Sequence, residues 1–215
     1  ADIRSRYRNL TDAEARAAQL EHGMFFIFGG EESYGYLCTD WIRDKDGNGA
    51  VVMFAELAAY AASRGLTVPD LLDEVSCGFG VFVEHTESPE FPGADGAAKI
   101  KRLVESYSAH PPKELDGAAV VKMIHYGKDD VLDEEGDPVP KENMLFLDLA
   151  DGRRFAVRPS GTEPKVKFYF FASRRPAPGQ KLDASKLPEI KKEVRAGIDR
   201  LWTVIQKDIE TRLAS

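Results

Sequence analysis

"RRFAVRPSGTEPKVKFYFFA", residues 153–172, decides how the second half of this chain folds. Two apolar runs rich in aromatic and β-branched residues, "RRFAV" and "KVKFYFFA", flank the seven residues "RPSGTEP" at 158–164. Such runs joined by a polar segment read as neighbouring antiparallel strands. A common hairpin turn takes about two to five residues. This one is longer, is stiffened by Pro159 and Pro164, and carries the fixed charge of Arg158.

Working outward, "MLFLDL" (144–149) and "RRFAVR" flank Ala150-Asp151-Gly152, which reads as a tight hairpin, and "AAVVKMIH" (118–125) is a further strand. A helix over about 188–213 sets Ile190, Val194, Ile198, Leu201, Ile205, Ile209 and Leu213 on one stripe. Another helix is expected over about 95–109, and the acidic run "GKDDVLDEEGDPVPKEN" (127–143) reads as a solvated loop. The second half is therefore α+β: antiparallel strands covered by helices.

The first half differs. Residues 11–22 read as a helix that Thr11 caps, with Glu14 three positions on and Gly23 at its end. "MFFIF" (24–28) has the pattern of a strand buried on both faces, and "GGEESYG" follows it directly. A helix over about 50–64 stops at Gly65. Thr67 and Pro69 open a shorter one through Val75, and "GVFVEHT" (80–86) is a strand. Helix, buried strand, loop, helix is α/β organisation, with a loop at the carboxyl edge where such sheets place ligands. "ESPEFPGADG" (87–96) has the composition of a linker. Two domains are expected, 1–90 and 91–215. No internal repeat is present.

Composition narrows the function. The chain has 215 residues, 43% of them hydrophobic, which is enough to build a core. Its 29 basic and 36 acidic residues leave a net charge of −7, which argues against a nucleic-acid partner. Any anionic ligand must be caught locally. Cys38 and Cys77 are the only cysteines, without a C-x-x-C pair or a His/Cys cluster, so neither a zinc site nor a disulfide framework is expected. The charged opening segment lacks the apolar core of a signal peptide, and no run is long enough to span a membrane. A cytoplasmic location is the expectation.

In "RPSGTEP", Gly161 permits close backbone approach to a ligand and a positive φ, and Ser160 and Thr162 add hydroxyl donors. Arg158 supplies the planar fork that suits phosphate, and successive N–H groups in such a turn can cradle an anion. The same residues also suit a long hairpin loop with a surface arginine. In "GGEESYGYLCTDWIRDKDGNGA" (29–50), Glu31, Glu32 and Ser33 would project at a sheet edge, where carboxylates accept hydrogen bonds from sugar hydroxyls; Arg43 and Lys45 follow. A solvated hairpin with capping glutamates fits them as well. Asp44-x-Asp46-x-Asn48-Gly49 matches the start of a calcium loop, but Ala55 stands where the bidentate glutamate is due. Neither G-x-x-x-x-G-K-[ST] nor G-x-G-x-x-G after a strand occurs. His22, His85, His110 and His125 are scattered and read as packing or surface residues.

Taken in order, "GEESYG", "RDKDG" and "RPSGTEP" resemble the α-D-phosphohexomutase family, the phosphoglucomutases and phosphomannomutases, and most closely its bacterial branch. The resemblance covers the carboxyl-terminal part of the family's four-domain enzyme. It implies that residues 1–90 end the third, sugar-binding domain and that 91–215 form the fourth, phosphate-binding one. Glu31, Ser33 and Arg43 would hold the sugar, and Lys45 would contact the reacting phosphate or transfer a proton. Arg158, Ser160, Gly161 and Thr162 would grip the non-reacting phosphate. The implied reaction interconverts hexose 1-phosphate and hexose 6-phosphate, glucose ahead of mannose, through a phosphoserine and glucose 1,6-bisphosphate. The family's phosphoserine loop and its D-x-D-x-D-R magnesium loop do not occur in these residues. Mg2+ would therefore bind outside this chain, in amino-terminal domains of the same protein, and the chain alone would be inactive. The alternative is a non-catalytic phosphosugar-binding module.

Overall fold

The computed structural model describes residues 10–22, 28–30, 35–38, 44–133, 136–161 and 163–214. Its packing divides the chain between Leu71 and Leu72.

Before that division, α1 (Asp12–His22) starts with a reciprocal cap. The Thr11 N–H donates to Glu14 Oε2 at 2.8 Å, and the Glu14 N–H donates to Thr11 Oγ1 at 3.4 Å. The expected strand over 24–28 lies outside the described residues except for Phe28. β1 (Gly29–Gly30) pairs antiparallel with β2 (Tyr36–Leu37). α2 (Gly47–Ser63) begins three residues before the expected start because the Asp46 carboxylate caps it, accepting from the Asn48 and Gly49 N–H groups. That use accounts for the calcium-like spacing at 44–49. α2 is apolar around much of its circumference yet exposes Val51, Val52, Phe54 and Tyr60; Ala61 is its buried residue.

α3 (Val68–Phe79) runs across the division and past the expected stop at Val75. Thr67 and Asp70 form a second reciprocal cap. Gly80 ends the helix at φ +118, where a Cβ would lie 2.8 Å from the Arg174 carbonyl oxygen. Only glycine fits there. The chain then enters β3 (Val81–Glu87). α4 (Gly96–Ala109) follows, then β4 (Glu114–Leu115), β5 (Ala118–His125), β6 (Leu145–Leu149), β7 (Arg154–Pro159), β8 (Val166–Arg174) and α5 (Leu187–Ala214).

The six strands form one antiparallel sheet in the order β3-β8-β7-β6-β5-β4. Sequence reading put this strand, expected at 80–86, ahead of a boundary near residue 90. In the structure it is hydrogen-bonded along its length to β8, so the compact unit begins at Leu72. The supposed linker also takes part: Phe91 N–H donates to Pro164 O at 2.7 Å, and Val166 N–H to Pro89 O at 3.2 Å.

α4 and α5 cover one face of this sheet. Alternation along β7 and β8 sends Phe155, Val157, Phe168 and Phe170 into that layer, where they are fully buried with Tyr107, Ile198, Leu201 and Ile205. Trp202 closes on Phe168 and Phe170 with ring centroids 5.9 and 5.7 Å apart. Each such side chain contributes about 1.5–3 kcal/mol through burial. The long helix repeats every apolar position of the expected stripe, with Ile190 and Leu213 partly covered at its ends. Buried Arg153 ties the layers together: its guanidinium donates to Asp151, to Asp116 and, at 2.8 Å, to the Gly197 carbonyl on α5. A buried cation with these partners is satisfied and structural. Among the described residues, no single helix is long and apolar enough to cross a membrane.

Candidate phosphate-binding site

The loop at 160–165 hangs from a rigid frame. β7 and β8 stay in register up to Pro159↔Val166. Ser160 N–H donates to Lys165 O at 3.0 Å, Glu163 N–H donates to Ser160 Oγ at 3.3 Å, and Lys165 pairs with Glu163 at 2.6 Å. A bridge between Glu90 and Lys165 holds the far side. The described residues on either side of Thr162 are therefore held by the strands themselves.

Arg158 stands directly opposite Lys167 in the register, so both side chains leave the same face of the sheet. This is the face opposite the helices. Arg158 is half-exposed, and its Nε lies 2.8 Å from Glu142 Oε1. Gly161 is not in the left-handed region that its residue type permits; a Cβ there would meet nothing within 4 Å, so its use is open space rather than a special φ. Thr162 lies outside the described residues.

Pro159, Ser160 and Gly161 also border an open cleft of about 1020 Å³. Its other walls come from α4, through Lys101 and Ser108, and from 125–128 and 141–143. Sequence reading missed this second wall because it assigned 127–143 to solvent. The segment is anchored instead. Lys141 Nζ donates to the Asp129 carbonyl and to Asp130 Oδ1, both at 2.7 Å. Those contacts hold the Asp130 carboxyl below its usual range, the hydrogen bond acting more than the charge. Lys128 Nζ donates to Ser108 Oγ at 2.6 Å. Buried His125 accepts the Gly127 N–H on Nδ1 at 3.1 Å, so its neutral ring carries the proton on Nε2. Burial first, and the Lys128 charge second, hold this imidazole below its ordinary 6.5.

The candidate sugar residues are less completely placed. Glu31, Ser33 and Arg43 lie outside the described residues. Lys45 is half-exposed, its Nζ 3.8 Å from Asp44 Oδ1, beside the point where Asp46 N–H donates to Tyr36 O at 2.9 Å. Its position, next to the α2 cap, is set by β2 and Asp46. Among the described residues, no three His, Cys, Asp or Glu side chains gather where they could hold a metal ion.

Residues 15–76 match the model for phosphoglucomutase/phosphomannomutase alpha/beta/alpha domain III. Residues 100–184, which include the 158–164 loop, match the model for the phosphoglucomutase/phosphomannomutase C-terminal domain. The chain is 33% identical over 168 residues to a phosphoglucomutase of Staphylococcus epidermidis, covering 74% of this chain and 31% of that protein. It is 35% identical over 147 residues to a probable phosphomannomutase of Haemophilus influenzae, covering 68% of this chain and 28% of that protein. The chain thus spans about a third of the length of the curated relatives it matches. Among solved structures, parafusin, a phosphoglucomutase from Paramecium, matches with a TM-score of 0.51 over 93% of this chain and 33% of that one, at 17% identity. That likeness bears on the fold.

Proposed function

We propose, from the premise that this chain belongs to the phosphoglucomutase/phosphomannomutase family, that it is the substrate-gripping part of a mutase acting on phosphorylated hexoses. The loop 158–162 grips the phosphate that does not react. The observation behind this is the pairing of Arg158 with Lys167. Glu142 offsets one of these two charges, so the pair keeps a net positive charge on this face that a phosphate can neutralise. The Arg158 fork and the Ser160 hydroxyl then fix the orientation of the ligand. Binding energy from this remote group aligns the sugar for chemistry elsewhere.

Glu31 and Ser33 hold ring hydroxyls in this reading, with Arg43 beside them, and Lys45 reaches the reacting phosphate or moves its proton. Glucose is the first choice of sugar, mannose the second. The longer enzyme interconverts the 1- and 6-phosphates through a phosphoserine and a bisphosphorylated sugar. Magnesium would neutralise charge on the phosphoryl group in transfer. In this reading its ligands and the phosphoserine come from other domains of a longer protein; among the described residues, no three His, Cys, Asp or Glu side chains gather where they could hold the ion. The 215-residue chain alone is therefore expected to show no turnover. A cytoplasmic setting agrees with two free thiols.

Titrating glucose 6-phosphate into labelled protein tests the grip. The Gly161 amide should shift saturably with millimolar affinity, about −4 kcal/mol, and Arg158→Lys should weaken it because an ammonium cannot form the fork. An unmoved Gly161 at tens of millimolar ligand, roughly ten times that affinity, overturns the grip.

A further inference from the structure

Arg158 is useful to a phosphate only if its long side chain is already aimed. We propose that Glu142 is the residue that aims it, a positioning residue for the phosphate grip; this rests on the reading of loop 158–162 given above.

The nearest approach between Glu142 and Arg158 is Oε1 to Nε at 2.8 Å, an ion pair between two half-exposed side chains. The nearest contact falls on Nε rather than on the terminal nitrogens, whose fork suits a phosphate. A carboxylate competing for the phosphate position would take that fork face itself.

The placement of Glu142 is built. Its neighbour Lys141 is pinned to Asp129 and Asp130. Its own carbonyl accepts from Met144 N–H at 2.7 Å, and Met144 O in turn accepts from Tyr126 N–H. Gly127 lets that carbonyl sit close: a Cβ on Gly127 would be 3.1 Å from Glu142 O and 3.1 Å from His125 Cε1. The acidic 127–143 segment is thus a bracket that delivers one carboxylate to one arginine across the sheet edge. An arginine so held loses less freedom when a ligand arrives.

The experiment uses the labelled 215-residue chain and inorganic phosphate. In wild type, the Arg158 Nε–Hε resonance, assigned by its loss in Arg158→Lys, should be sharp and displaced from the free-arginine position. Glu142→Ala should return it to that position and weaken phosphate binding about three- to tenfold, the scale of freeing one rotamer-rich side chain. Glu142→Gln keeps an oxygen acceptor and removes a negative charge, so its affinity should equal or exceed that of wild type. Gly127→Ala, which presses on the Glu142 carbonyl, should weaken binding in the same direction as Glu142→Ala but less. An unchanged Nε resonance and affinity in Glu142→Ala overturn the proposal, while Arg158→Lys still weakening binding shows that the grip itself survives. Tighter binding in Glu142→Ala also overturns it, making Glu142 a competitor. If wild type shows no saturable binding, the grip falls and this proposal with it.

Discussion

α2 and α5 both carry many large apolar residues, and they dispose of them in opposite ways. In α5 the large residues fall on one stripe, and Val194, Ile198, Leu201, Ile205 and Ile209 are all buried against the sheet and α4. In α2 four consecutive apolar residues, 51–54, wrap around the axis, and each is at least 42% exposed. A helix apolar all round is normally enclosed on every side. α5 finds its partners within the chain. α2 leaves these apolar residues exposed.

The largest expected effect lies in α5. Leu201→Ala removes a fully buried side chain and should cost about 2–5 kcal/mol in denaturant unfolding. A loss under 1 kcal/mol, roughly that of an exposed site, would erase the contrast. Asp46→Ala removes the cap of α2 and should cost about 0.5–2 kcal/mol, read as lost helical signal from the first unit. His125 supplies a weaker effect confined to the second unit. Its folded pKa is lowered, so the unfolded chain binds the proton more readily; the stability from the neutral ring is present above about 6.5 and is lost as pH falls below it. Thermal midpoints should drop through that window in wild type more than in His125→Gln. Smallest of all, Phe54→Ala should change the stability of this chain by no more than about 0.5 kcal/mol, because the ring is exposed. A larger cost would mean that α2 is already enclosed.

Much of this molecule was legible in advance. The caps at Thr11 and Thr67, the turn at Gly152 and the stripe of α5 are local signals, and each appears where residue order placed it. The misses are equally specific. α2 starts early because Asp46, which matched a calcium pattern, spends its carboxylate on two helix N–H groups. The strand Val81–Glu87 joins β8 at Val166–Arg174, a pairing between distant segments that no local propensity encodes. The 127–143 segment looked solvated because its charges are real; Asp130 is almost fully exposed, yet Lys141 beside it fixes the backbone that carries Glu142.

Residue order by itself determined the kind of element at each place, the stiff charged loop at 158–164 and, through three short motifs, the family. Periodicity, capping and turn chemistry act over a few residues, so a single chain can display them. Tertiary structure alone decided which strands are neighbours, that Arg158 stands beside Lys167, and that a glutamate sixteen residues before Arg158 lies at its Nε. Those facts depend on register and on packing between distant segments, where a slip of one residue would turn Arg158 to the other face of the sheet.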